Sequence, residues 1–360
     1  MNGSATDLAL GRFGFQNKML EKPDLQEARI ADWLLDQYGL RVIEAEFLPT
    51  GYQNTAAYRV VAEDETSYFL KLRRDIFVET SVTLPFFLRD LGLRQIIAPI
   101  VTKSRQYWGY LDDFKVILYP FVAGQNAFQV ALTEYQWFDF GASLKRIHTT
   151  RLPPGLNGHI QHETYSREWS EQVKLLLERA QNDKFDQPVA AQLAVFMTTR
   201  ANEILHLVKK AEQLSRMLQM RPPESVLCHS DIHAGNILCN ITGDVYIVDW
   251  DNPIMAPKER DLMFIGGGVG GIWNSAQEES FFYRGYGKTE INTVALAYYR
   301  FERILQDLAP YAGQLLLTDV GSKDRMRTLQ GIASFFLPNG VVEMARKAEQ
   351  NLPQELRSHG

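Results

Sequence analysis

Cysteine is nearly absent from this 360-residue chain, which holds only Cys228 and Cys239. Two thiols inside apolar runs cannot build a disulfide framework and read as buried, reduced side chains. Positive charge is not in excess either. With 38 Lys and Arg against 43 Asp and Glu, the formal net charge is -5. That balance gives no basic footprint for nucleic acid, whereas an acidic pocket would suit a cationic small molecule. No apolar run reaches the roughly 18 residues of a membrane span, and no basic region leads into an apolar segment at the N-terminus. A cytoplasmic protein with no membrane partner is therefore expected. Internal repeats and low-complexity tracts are also missing, which argues against a solenoid.

The length suits one large or two ordinary domains. Residues 1–18 lack a clear period and precede a second methionine, Met19, so they are expected to form an N-terminal extension outside the fold. From Pro23 a helical pattern places Ile30, Leu34, Leu35 and Tyr38 on one side, and alternation takes over at Val42. Segments 42–48, 56–62 and 68–72 are short and rich in β-formers, with a polar turn at 63–67. A helix is expected over 80–91, a strand over 96–101, and a hairpin turning at Asp112-Asp113 into 115–122. Five strands and one inserted helix make a small antiparallel-sheet lobe.

Beyond Phe121-Val122-Ala123-Gly124 the pattern turns helical. Thr133 and Gln136 form a capping box for a helix carrying Trp137, Phe140, Leu144 and Ile147. A loop rich in Pro and Gly at 152–158 ends it, and a further helical region follows over 190–220. Two short strands, 226–228 and 245–248, interrupt the helices and deliver polar residues to strand ends. The expected class is α+β.

Residues 226–251 read VLCHSDIHAGNILCNITGDVYIVDWD. An Asp followed five residues later by an Asn fits the kinase loop H-R-D-x-x-x-x-N, in which the Asp meets the substrate hydroxyl and the Asn holds magnesium. Asp231 and Asn236 take these positions, and Asp249 supplies a second oxygen ligand for Mg²⁺. Ser230 stands where protein kinases carry Arg, and Trp250 where they carry the Phe of D-F-G. Asp251 reads equally as a loop-capping carboxylate or as a further metal ligand.

HSDIHAGN followed by IVDWD resembles the aminoglycoside phosphotransferase family. YFLKLR at Tyr68 to Arg73, ILYPF at Ile117 to Phe121 and PKERDLMFIGGGVGGIWN at Pro257 to Asn274 carry the same likeness, which spans residues 19–345. It implies a bilobal protein-kinase-like fold, with a nucleotide-binding N-lobe at 19–122 and a mainly helical, catalytic and acceptor-binding C-lobe at 123–360. It also implies Mg²⁺-dependent transfer of the γ-phosphate of ATP, GTP being equally compatible, to a hydroxyl of a small molecule. Asp231 takes the place of the base, and Asp261 that of a buried Asp tying down the catalytic loop.

Lys71 is out of pattern in an apolar strand unless it points into a cleft, where it would meet the α- and β-phosphates. Glu79, near the start of the next helix, is expected to pair with it. The loop Thr50 to Thr55 takes the position of the phosphate-covering turn with a single glycine. Adenine is expected between the lobes, against the backbone of Tyr119, Phe121 and Val122. The formal G-x-G-x-x-G of Gly266, Gly268 and Gly271 follows no β-rich run and reads as a close-packed turn. His229 and His233 are spaced like a zinc pair, but loop context makes them hydrogen-bonding structural groups.

Trp273, Glu302 and Asp307 are the candidates to line an acceptor pocket for a cationic aminocyclitol or aminoglycoside, Trp273 through its ring face. Each reads equally as ordinary surface or core. The resemblance implies spectinomycin or a related aminocyclitol as the first acceptor to expect; choline, homoserine or a sugar is the metabolic alternative. A protein kinase is disfavoured, since 11 residues between Asp249 and Asp261 leave no room for an activation loop.

Overall fold

The computed structural model describes residues 22–48, 55–74, 77–318 and 325–357. The expected extension at 1–18 and most of the loop at 50–55 lie outside these residues. Helix α1 (Glu27–Tyr38) buries Ile30, Trp33 and Leu34 and stops at Gly39, whose φ of 76° is the left-handed cap glycine adopts most readily. Five strands follow: β1 (Val42–Leu48), β2 (Thr55–Ala62), β3 (Ser67–Arg73), β4 (Gly109–Leu111) and β5 (Phe114–Pro120). They form one antiparallel sheet in the order β1-β2-β3-β5-β4. Alternation buries Tyr58, Val60, Leu70, Leu72, Val116 and Leu118 against α1 in a small core.

The expected strand at 96–101 is replaced by β4. Ile96 makes only an isolated bridge to Ile247, and Pro99, which has no amide hydrogen, cannot continue a ladder. This segment instead stitches the molecule together. The Ile247 amide donates to Gln95 O and the Ile100 amide to Leu118 O, while Ile96 is fully buried in the larger core.

Helix α2 (Thr80–Asp90) sends Leu84 and Leu88 into that larger core. In α3 (Glu134–Thr149) the capping box forms: the Gln136 amide donates to Thr133 Oγ1 at 3.3 Å, and the Thr133 amide to Gln136 Oε1 at 2.9 Å. The loop at 152–158 holds one helical turn, Pro154–Asn157. Helix α4 (Glu168–Asn182) precedes the expected 190–220 helix, which is two: α5 (Pro188–Thr199) and α6 (Ala201–Met220), broken at Arg200 with φ -103° and ψ 16°. Helices α7 (Ala276–Tyr286) and α8 (Thr293–Leu317) follow, then α9 (Arg325–Ser334) and α10 (Val341–Gln350). A Cβ on Gly285 would lie 1.9 Å from Phe138 O, so glycine there lets α7 and α3 pack backbone to backbone. Helix α8 runs through the centre of the larger core, burying Tyr298, Tyr299, Phe301, Leu305 and Leu308.

Two three-stranded sheets sit between the helices. One joins β6 (Gly124–Asn126), β9 (Ile237–Asn240) and β10 (Val245–Ile247); the other joins β7 (Gln161–His162), β8 (Val226–Cys228) and β11 (Ile254–Ala256). The architecture is α+β, with a sheet-rich N-terminal part and a helical C-terminal part. Among the described residues no helix is long and apolar enough to cross a membrane.

Candidate active site

The loop after β8 is held by one carboxylate. Asp261, fully buried, accepts the amides of His229 at 2.9 Å and Ser230 at 2.7 Å. Burial alone would raise its pKa, but the hydrogen bond and charge of His148 and the neighbouring His229 hold it below the usual carboxylate range. His148 is in turn set by the Tyr286 hydroxyl at 2.7 Å. Ser230 sits at φ 75°, a strained value for a residue with a Cβ, and its hydroxyl donates to Asn252 O at 2.7 Å.

His229 Nε2 donates to Val248 O at 3.0 Å, which leaves Nδ1 to accept the Asp231 amide at 3.3 Å. Asn236 Nδ2 donates to Asp231 O at 2.8 Å, and Asn236 O accepts the Val248 amide at 3.0 Å. These bonds bring Asp231, Asn236 and the start of the Asp249 turn into one unit. Trp250 locks it from behind: its ring meets His229 at 4.6 Å and its Nε1 donates to Ile247 O. His233 Nδ1 accepts the Gly235 amide at 3.0 Å, so both histidines are hydrogen-bonding groups of the loop.

Asp249, at φ 68°, places Oδ1 2.7 Å from Lys71 Nζ. Asp251 brings Oδ1 and Oδ2 to 2.8 and 2.9 Å of the same ammonium, and Arg73 Nη1 lies 2.9 Å from Asp251 Oδ1. Burial would lower the Lys71 pKa, but Asp249 and Asp251 hold it above its ordinary value. Against the pull of burial, Lys71 draws Asp249 down to about 2, whereas burial and the charge of Asp249 push Asp251 up.

Lys71 points toward the turn after β10, where Asp249 and Asp251 are its partners. Glu79 is an exposed residue at the start of α2, and no ion pair joins it to Lys71 among the described residues. Two carboxylates of the Asp249 turn already surround the ammonium. Tyr119, from β5, packs on Phe69 and feels the Lys71 charge, while Phe121 and Val122 are half-buried just past the strand. The Phe121 amide is committed to Ser67 O, which leaves it no bond for a base.

On the other side of the loop, Asp231 Oδ1 lies 2.5 Å from Arg303 Nη1, and Arg303 Nε lies 2.9 Å from Asp307 Oδ2. His233 Nε2 is 3.6 Å from Asp231 Oδ2. Burial would raise the Asp231 pKa, but Arg303 first and His233 second hold it below the usual range. Asp307 thus joins the site through Arg303, a residue the sequence reading missed. Its one local signal was the i, i+4 spacing of Arg303 and Asp307 on a helix face.

The other two acceptor candidates fall elsewhere. Glu302 lies on a different face of α8, 6% exposed, near Arg260 and Glu163, and burial pushes its pKa up to about 8. Trp273 is 4% exposed inside an aromatic cluster, 5.0 Å from Trp137 and 5.7 Å from Phe140, with no open ring face for a cation. Gly266 to Gly271 form a close-packed turn: Gly266 has φ 66°, and a Cβ on Gly268 would lie 2.1 Å from Ile272 O. Both cysteines are free and buried.

The model of the phosphotransferase enzyme family, APH, matches residues 44–290, more than half of the chain. A crystal structure of spectinomycin phosphotransferase APH(9)-Ia in complex with ADP and spectinomycin is 37% identical, with a TM-score of 0.85 over 91% of this chain and 100% of that one. The AMP-bound complex of the same enzyme gives 37% identity and a TM-score of 0.79 over 88% of this chain and 97% of that one. Choline kinase LicA from Streptococcus pneumoniae shares the fold alone, at 16% identity and a TM-score of 0.52 over 86% of this chain and 99% of that one. Among curated proteins none matches. The chain belongs to the phosphotransferase enzyme family.

Proposed function

We propose that this phosphotransferase carries the γ-phosphate of ATP to a hydroxyl of an aminocyclitol antibiotic, with spectinomycin as the first candidate, and so confers resistance. The observation that carries the reading is the loop that holds Asp231 on one side and the Lys71–Asp249 pair on the other. The 37% identity to an enzyme solved with ADP and spectinomycin supports the choice of acceptor. The likeness to choline kinase is one of fold and gives the metabolic alternative no added support.

In this reading residues 19–122 form the nucleotide lobe and 123–360 the catalytic and acceptor lobe, with the nucleotide between β3 and the Asp249 turn. Lys71 leaves its carboxylates to meet the phosphates. Asn236 and Asp249 fit Mg²⁺: both offer hard oxygen donors, and Asn236 Nδ2 is engaged by Asp231 O, which leaves only its oxygen for a ligand. Mg²⁺, when bound, neutralises charge on the phosphate oxygens. Asp231 orients the acceptor hydroxyl in line with the phosphorus and takes its proton late, because the transition state of phosphoryl transfer is loose. Rate enhancement then comes mainly from positioning and charge. A low pKa suits Asp231 to this part, keeping it ionised as a hydrogen-bond acceptor.

An ADP-release screen tests the reading over spectinomycin, aminoglycosides, choline, homoserine and sugars. Stimulation by spectinomycin is the expected outcome. Strong stimulation by a metabolite alone would replace the antibiotic acceptor with a metabolic one.

A further inference from the structure

Arg303 projects from α8 with its guanidinium between two carboxylates. Nη1 is 2.5 Å from Asp231 Oδ1, Nε is 2.9 Å from Asp307 Oδ2, and the group lies over the Phe264 ring at 5.6 Å from its centroid. The side chain is only 16% exposed. A planar guanidinium can serve two carboxylates at fixed angles, which the point charge of an ammonium cannot. The three contacts thus select one rotamer of a long side chain.

At Asp231 the contact is confined to one oxygen. The residue is also fixed through its backbone, the amide by His229 Nδ1 and the carbonyl by Asn236 Nδ2. Among the described residues, the charged group nearest Oδ2 is His233 Nε2, at 3.6 Å, beyond hydrogen-bond range. A carboxylate pinned at Oδ1 therefore keeps Oδ2 open in a set direction. Asp231 and Asp307 bring two negative charges and Arg303 one positive, so the cluster retains one.

We propose that Arg303 is a positioning and charge-setting residue of the acceptor site: it holds Asp231 with Oδ2 turned to the acceptor hydroxyl and leaves a single negative charge beside it. The inference rests on the phosphoryl-transfer reading above. A cationic acceptor then meets an attractive pocket whose base cannot swing onto the acceptor's own ammonium groups, because Arg303 already occupies Oδ1. Arg303 acts through Asp231 and touches no reacting atom.

The test is steady-state kinetics of wild type, Arg303→Met, Arg303→Lys and Asp307→Asn, with Mg-ATP and either spectinomycin or water as acceptor. Arg303→Met is expected to lower kcat about 10- to 100-fold, the scale of a misplaced catalytic group. KM for spectinomycin should not rise, because the pocket gains a negative charge, and Mg-ADP affinity should match wild type. Arg303→Lys should recover part of kcat, and Asp307→Asn should lower it less than Arg303→Met. Wild-type kcat in both Arg303→Met and Asp307→Asn, or a loss carried wholly by KM, overturns the proposal. If Arg303→Met no longer binds Mg-ADP, Asp307→Asn decides. A wild type that phosphorylates only water removes the spectinomycin reading but leaves the same kcat comparison to judge Arg303. Transfer to neither acceptor overturns both.

Discussion

Two ion clusters flank the loop after β8, and they are built differently. On one side, Lys71 and Arg73 from β3 meet Asp249 and Asp251 from the turn after β10, partners far apart in sequence. On the other side, Arg303 of α8 bridges Asp231 and Asp307, the latter one turn further along the same helix. The first cluster has two cations for two carboxylates; the second has one for two. In the proposed reading, phosphate and metal would enter a charge-balanced set, whereas a cationic acceptor would enter a set that is already negative. The first joins a strand to a turn far along the chain. The second is anchored on a buried helix and holds one geometry.

The sharpest way to break this contrast is Asp231→Ala. Turnover should fall by about 10³-fold, within the range of a lost general base, while Mg-ADP affinity is kept; titration calorimetry with single-turnover assays reads both. Asp261→Ala attacks the loop that carries both clusters. It strips two buried amides and His148 of their acceptor and should cost about 3 kcal/mol of stability in urea unfolding. Lys71→Met removes a cation from the balanced set alone, and kcat/KM for ATP should drop about 10²-fold with binding of spectinomycin spared. Weakened binding of spectinomycin in that variant would mean that the two clusters act as one.

Glu302→Gln is the mildest change and sharpens the contrast by showing that a buried acid on the other face of α8 is structural. Its pKa is about 8 in the fold against 4.5 for an unperturbed Glu, so between these values the folded state keeps a proton that the unfolded chain releases. Wild-type stability should then decline as pH rises from 5 to 8, by up to about 1.4 kcal/mol per unit from this group. Glu302→Gln should flatten that slope in melts across the range, with kcat unchanged.

What could be read from the letters was local. The alternation of 42–48, 56–62 and 68–72 appears as β1 to β3 within one residue at each end, and the Thr133–Gln136 box caps α3 as expected. Asp231 and Asn236, five residues apart, lie in one loop, and Asn236 O takes the Val248 amide beside Asp249. What failed was set by distant contacts. Strands β6, β7, β9 and β11 are two to four residues long, too short to show a period. Glu79 stood at a plausible helix start, but the carboxylates that reached Lys71 came from 178 and 180 residues away. Trp273 looked like a ligand platform until Trp137 and Phe140 closed over it, and Arg303 carried no motif at all.

The most direct measurement is identification of the product after wild-type enzyme is incubated with Mg-ATP and spectinomycin. One ADP should be released for each spectinomycin that gains a single phosphate on a hydroxyl oxygen, by mass spectrometry and phosphorus NMR. Unmodified spectinomycin, alongside a phosphorylated choline, homoserine or sugar in parallel reactions, would contradict it.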